Sequence, residues 1–162
     1  MRVNIGVLGS ERAEEEALKV AEEVGREIGE RGAILICGGR RGVMEAVAKG
    51  CRDAMGISVG IITSLDKSEA NKYVDIIIPT SLGFGRNILV ASASDVVIAI
   101  DGHYGTLSEV AFALNYGKPV VVIPSTGGTA EFLAGGPYGV HEAEDAKDAV
   151  DKAIKLANSK KI

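Results

Sequence analysis

The sequence predicts an α/β fold, an open parallel sheet with helices on both faces, in one domain covering residues 1–162. Three observations predict it. Short apolar runs alternate with longer amphipathic segments, which is the pattern of repeated βαβ units. Aromatic residues make up only 4% and Trp is absent, so the core must come from Val, Ile, Leu and Ala, as in buried parallel strands. The 21 glycines, against 4 prolines, cluster where the apolar runs end.

Residues 3–8 are largely apolar and stop at Gly9-Ser10, which predicts a first strand. Over residues 11–31, Ala17, Ala21, Val24 and Ile28 recur at helical spacing among Glu and Arg, and Gly32 closes the helix. Residues 33–37 give a second strand, followed by Gly38-Gly39-Arg40-Arg41-Gly42. A helix over 43–54 puts Val43, Val47 and Cys51 on one side, and a third strand follows at 57–62. The polar stretch 63–73 reads as a mobile loop. A strand over 74–78 is ended by Pro79, and Gly83-Phe84-Gly85 leads into a helix at 86–93. The pattern then gives a strand at 95–100, a glycine loop from Gly102 to Gly105, a helix at 107–116 and a strand at 120–123. Glycine loops at 125–129 and around Gly135, Gly136 and Gly139 precede a last helix at 142–157, with Ala146, Ala149, Ala153 and Ala157 on one stripe. Right-handed βαβ units in this order make a Rossmann-like sheet.

A net charge of −4 and the absence of an aromatic-rich basic stretch argue against a nucleic-acid surface. Cys37 and Cys51 lack metal-ligand spacing and read as buried free thiols in a reducing compartment. No His, Asp and Glu grouping has metal spacing, so no metal is expected. No apolar run approaches the roughly 18 residues that span a membrane, and the first residues lack a signal-peptide core. The expectation is a cytoplasmic protein.

In such folds the loops leaving the carboxyl ends of the strands form the ligand crevice. Three of them are glycine-rich: Gly9-Ser10, Gly38-Gly39 to Gly42, and Gly102 to Gly105. Each precedes a helix whose first amides lack partners within the helix, an arrangement that suits a phosphate. Gly also simply turns a chain from strand to helix, which would explain any one loop alone. Gly39, Gly42, Gly105 and Thr106 are expected around a shared cavity. An NAD site is not expected, because Gly6-Val7-Leu8-Gly9 lacks the dinucleotide spacing and the second strand ends without an acid. NADP, with its extra phosphate on Arg40 or Arg41, is a third option.

Residues 36–48, Ile-Cys-Gly-Gly-Arg-Arg-Gly-Val-Met-Glu-Ala-Val-Ala, resemble the GGGxxGLMGAVA segment of the Lonely Guy (LOG) proteins. Residues 86–109 resemble their second signature, an Arg followed by a PGGxGTxxE loop, here Arg86 and Asp101-Gly102-His103-Tyr104-Gly105-Thr106-Leu107-Ser108-Glu109. The resemblance implies a homodimer or larger homo-oligomer with a nucleotide site. LOG enzymes cleave the N-glycosidic bond of nucleoside 5′-monophosphates; molybdenum-cofactor carriers of the same superfamily bind a phosphorylated pterin. Either ligand, a nucleoside monophosphate or a molybdopterin, would be the bound partner, with no further cofactor required. The lysine decarboxylase label used for many members finds no support, since no lysine sits in a Schiff-base context. Asp101 and His103 replace the proline and second glycine of the loop, Asn87 the usual Lys, and Gly83-Phe84-Gly85 a Met-His pair. These departures look more like the carrier branch.

By the resemblance, Arg86 and Glu109 are the catalytic pair. Glycosidic cleavage passes through a cationic state that a carboxylate such as Glu109 stabilises, while Arg86 orients the ligand or meets charge on the leaving base. Spacing alone reads Thr106-Leu107-Ser108-Glu109 as a capping box, and Arg86 as a solvated first-turn cation. Thr106 is placed at the phosphate or at a helix cap, and Asp101 at ribose hydroxyls or in a plain turn. His103 is a general acid or a bystander, and His141 a surface residue. The short helices at 43–54 and 86–93, poor in outward charges, suit burial against another subunit or packing under a long loop; the resemblance favours a symmetric dimer with this surface near the site.

Overall fold

The computed structural model describes residues 1–159. Thirteen elements carry the fold. They are β1 (Asn4–Gly9), α1 (Glu15–Glu30), β2 (Ile34–Cys37), α2 (Val43–Asp53), β3 (Ile57–Ile62) and β4 (Ile76–Pro79), then α3 (Arg86–Ala93), β5 (Val96–Ile100), α4 (Tyr104–Asn115), β6 (Val120–Ile123), α5 (Gly128–Leu133), β7 (His141–Glu142) and α6 (Ala146–Ser159). The strands form one sheet in the order β4-β3-β2-β1-β5-β6-β7, and every pair is parallel. This is the Rossmann-like α/β architecture.

Strand alternation divides the core in two. Ile5 and Val7 of β1, Leu35 of β2, Ile98 of β5 and Val121 of β6 face α1, α2 and α6. Leu8, Ile36, Val97, Ala99 and Val122 face α3, α4 and α5. Both faces of the central strands are covered, which is why they are apolar at every position rather than at every second one. Helices α1 and α2 lie unusually close. A Cβ on Gly50 would stand 1.8 Å from the Glu22 carbonyl oxygen, and one on Gly25 would stand 2.0 Å from that of Val47.

Several boundaries differ from expectation. Strand β4 begins at Ile76 and includes Pro79, paired with Ile62; as an edge strand it tolerates the missing amide. Helix α4 starts at Tyr104, three residues earlier than its apolar pattern suggests. Helix α5 and strand β7 stand where only loops and the start of a long helix were expected. Helix α6 begins at Ala146, where Asp145 Oδ1 accepts from the Asp148 amide (2.8 Å). Segment 63–73 is not a free loop. It contains a 3₁₀ turn, Lys67–Glu69, whose Ser68 amide donates to Asp66 Oδ1 (2.9 Å). It also clamps the glycine loop after β2: Asn71 Nδ2 donates to the carbonyls of Gly39 (3.2 Å) and Arg40 (2.7 Å).

Helices α2 and α3, expected to share an interface with another subunit, lie on opposite faces of the sheet. Val43, Val47, Ala48 and Cys51 of α2 are buried within this chain's own core, while Met44 of α2 and Arg86 of α3 meet near Gly38.

Candidate functional site

Strand order reverses between β1 and β5, since β2 to β4 extend one way and β6 and β7 the other. Open α/β sheets bind ligands at that point, beyond the carboxyl ends of the strands. Here β1 and β5 end in register, Gly9 beside Ile100. A Cβ on Gly9 would fall 2.4 Å from Val43 Cγ1 and 2.7 Å from the Ile100 carbonyl oxygen, so glycine lets α2 begin directly against β1.

A cleft of about 310 Å³ opens there, at the lower end of the range for small-molecule sites. Of the residues expected in it, Gly9, Ser10, Arg86, Gly105, Thr106 and Glu109 line it, together with Arg40, Asn87 and His103. Helix α4 supplies three of these from its first two turns, and its leading amides lack partners inside the helix.

Arg86 and Glu109 are the unusual members. Arg86, the first residue of α3, is 7% exposed, and its Nε has no hydrogen-bond partner among the described residues. It is not the solvated cation that spacing alone suggested. Its Nη1 lies 4.0 Å from Glu109 Oε1. Space for the guanidinium comes from Gly38, where a Cβ would stand 2.0 Å from Arg86 Nη1. Burial raises the Glu109 carboxyl from the ordinary 4.5 to about 7, although Arg86 pulls the other way. Burial also lowers the Arg86 guanidinium.

The capping-box reading fails on the position of the helix. His103 is the N-cap of α4, and its carbonyl accepts from the Leu107 amide (2.9 Å). Thr106 and Glu109 therefore lie within the helix, both buried, with Glu109 on the cleft side.

The remaining expected residues build the cleft's frame. Asp101 accepts a hydrogen bond from Ser10 Oγ at Oδ2 (2.5 Å), tying the end of β5 to the end of β1. Its backbone adopts φ +52°, and its amide donates to Thr126 Oγ1 (2.8 Å). This is the geometry of a turn that ends β5. Gly39 and Gly42, expected around the cavity, do not line the cleft. Gly39 packs on Gly60, its Cβ position 3.0 Å from that Cα, and Gly42 on Ser10, 2.4 Å from the carbonyl oxygen. Gly102 lies behind the cleft, where its carbonyl accepts from the Thr129 amide (2.8 Å). Asn87, buried at the start of α3, donates to Ser108 Oγ (3.0 Å) and so fixes α3 to α4.

Both cysteines are buried and free, and burial pushes the thiols up to about 11 for Cys37 and about 12 for Cys51. Neither is a thiolate at neutral pH. The sequence reading missed Glu11, Met44, Thr63 and Phe84, which also line the cleft. Thr63 directly follows β3, so the carboxyl-edge rule would have found it. Glu11 lies 3.4 Å from Arg40 Nε, a cation it partly neutralises. Among the described residues no helix is long and apolar enough to cross a membrane.

The chain was compared with known proteins. An uncharacterized protein of Archaeoglobus fulgidus is 43% identical over 118 residues, 73% of this chain and 78% of its own length. The cytokinin riboside 5′-monophosphate phosphoribohydrolase of Mycobacterium tuberculosis is 33% identical over 121 residues, 69% of this chain and 65% of its own length. Among solved structures, the molybdenum cofactor binding protein of Rippkaea orientalis superposes with a TM-score of 0.89 at 34% identity, covering 96% of this chain and 98% of that one. The last two fall on the two branches of the resemblance read from residues 36–48 and 86–109, which they bear out. The model of the SLOG cluster4 family matches residues 2–154, nearly the whole chain, and the chain belongs to that family.

Proposed function

We propose that the cleft binds a phosphorylated small molecule and that the protein carries such a ligand, a phosphorylated pterin of the molybdopterin type, without transforming it. One observation carries this reading: the buried Arg86, its Nε unpartnered, faces a cleft whose other wall is the first turn of α4. An unsatisfied buried donor on a cation has a large desolvation cost, which an anionic ligand offsets. The α4 amides add a second set of donors for the same anion.

Glu109 separates carrying from cleaving. A glycosidase-like reaction needs an ionised carboxylate beside the developing cation, whereas Glu109 is half protonated near pH 7 before any anion arrives. A bound phosphate would hold it further toward the neutral form. Similarity to the molybdenum cofactor binding protein over almost both whole chains supports the same reading. The second reading is a phosphoribohydrolase, favoured by the retained Arg86–Glu109 pair and by the Mycobacterium tuberculosis relative. We also place a homo-oligomer in this proposal: Ile76, Ile78, Leu82 and Phe84 leave apolar side chains uncovered, and Phe84 borders the cleft.

Mass spectrometry of ligand released from gently denatured protein tests the proposal, alongside release of free base from a panel of nucleoside 5′-monophosphates. A retained phosphorylated pterin with no base release is the expected result. Base release that falls about 10²–10³-fold in Glu109→Gln would establish the hydrolase instead.

A further inference from the structure

Across the first turn of α4 from the cleft lies a second cavity of about 510 Å³. Gly105, Thr106 and Glu109 face the cleft, Tyr104 and Leu107 face the second cavity, and His103 borders both. The far wall comes from α5, through Thr129 and Phe132. The two cavities differ in chemistry. The cleft holds Arg40, Arg86, Glu11 and Glu109, whereas no Lys, Arg, Asp or Glu lines the second cavity. Of its two side-chain hydroxyls, Thr129 Oγ1 is engaged as a donor to the His103 carbonyl (3.1 Å), and the other belongs to the exposed Tyr104.

Aromatic side chains are scarce in this chain, yet two of them border this cavity with their rings in water. Tyr104 is 90% exposed and Phe132 62% exposed. Phe132 is steadied by Tyr138, whose ring centroid lies 5.9 Å away. Single exposed apolar residues need no explanation, but aromatics lining a concave apolar cavity beside a charged cleft mark a ligand surface. An uncharged, flat group suits it, since it stacks on aromatic faces and asks for no counter-charge.

We propose that the second cavity is a ring subsite: it takes the fused aromatic heterocycle, pterin or purine, of a ligand whose phosphate occupies the cleft. The ring stacks on Tyr104 and Phe132, and the ligand crosses the α4 turn at His103. This subsite rests on the cleft being the phosphate site, so its test uses probes that separate the two. Ribose 5-phosphate carries only the charged end, whereas AMP and a phosphorylated pterin carry both ends.

Binding of all three is measured by calorimetry to wild type, Tyr104→Ala, Phe132→Ala and Arg86→Ala. Pterin fluorescence is followed in parallel, and sedimentation gives the oligomeric state of each variant. Both aromatic residues are exposed, so their replacement leaves the core intact. The expected result is a loss of roughly tenfold in affinity for AMP and the pterin on removing either ring. Ribose 5-phosphate should bind unchanged, and the pterin fluorescence quenched by wild type should recover. Equal losses for all three probes, or none, would overturn the ring subsite while Arg86→Ala still reports on the cleft. Failure of wild type to bind any of the three overturns both. A variant that changes oligomeric state with ring-ligand affinity intact would show that a second copy of the chain covers this surface, which also overturns the subsite.

Discussion

Replacing Glu109 with Gln should stabilise the protein at alkaline pH and do progressively less as the pH falls. In the unfolded chain this carboxyl ionises near its ordinary 4.5, and in the folded protein near 7. Between those values the unfolded chain has released a proton that the folded protein still holds. Stability is therefore full below 4.5, falls as pH rises, and levels off above about 7. The rise from 4.5 to about 7 corresponds to about 3 kcal/mol at roughly 1.4 kcal/mol per pH unit. Burial outweighs Arg86 here, even though two charges 4.0 Å apart attract by about 4 kcal/mol at an intermediate dielectric.

Gln matches the protonated carboxyl in shape and cannot ionise. Urea denaturation should then find the variant more stable than wild type by about 1 kcal/mol at pH 5 and about 3 kcal/mol at pH 8. A difference equal at both pH values, or a variant less stable at pH 8, would refute the assignment. Domains are stable by only about 5–15 kcal/mol, so a cost of this size on one group is large, as the proposed role of Glu109 in the cleft would require.

Other consequences are equally measurable. Alanine in a helix interior normally gains about 1 kcal/mol over glycine, but Gly50→Ala should destabilise by about 1–3 kcal/mol in chemical denaturation, because its Cβ would meet the Glu22 carbonyl at 1.8 Å. Asn71→Ala removes two bonds to the loop after β2 and the acceptor of the Tyr73 amide; about 1–3 kcal/mol should be lost, with faster amide exchange confined to residues 39–42 and Tyr73. Sedimentation at micromolar concentration should show a homo-oligomer, and a monomer alone would refute that part of the proposal.

The central sheet was legible because its strands are buried on both faces and therefore write themselves as unbroken apolar runs. Where that cause is missing, so is the signal. Strand β7 is two exposed residues, His141 and Glu142, held by pairing with Val121 and Val122; nothing in their side chains announces a strand. Helix α5 is six residues long and opens on Gly128, so glycine there reads as loop. Arg86 and Glu109 were recognised through the resemblance, but their physical state was hidden. Spacing made Arg86 a surface cation and Glu109 a cap, and only the packing of α3 against α4, with Arg86 over Gly38, shows both as buried. The Asn71 clamp joins segments 31 and 32 positions apart, beyond any local pattern.

Binding an anion and cleaving a glycosidic bond make opposite demands on Glu109. Protonated, Glu109 leaves the charge of Arg86, 4.0 Å away, to the ligand; ionised, it competes for that charge. A carrier should therefore bind phosphate esters more weakly as pH rises through about 7. Taking up one proton on binding limits the loss to about twentyfold between pH 6.5 and 8.5. That window lies above the second phosphate ionisation, near 6, so the ligand's own charge changes little. Cleavage instead requires the carboxylate, so turnover in a hydrolase should increase over the same window. Glu109→Gln removes the titrating group and should flatten the binding curve while keeping affinity at its low-pH value. The decisive assay is the affinity for AMP and a phosphorylated pterin across this window, with base release measured in the same samples. Affinity that falls with pH in wild type and stays level in the variant supports the carrier. Base release that climbs through pH 7 and vanishes in the variant assigns Glu109 to hydrolysis.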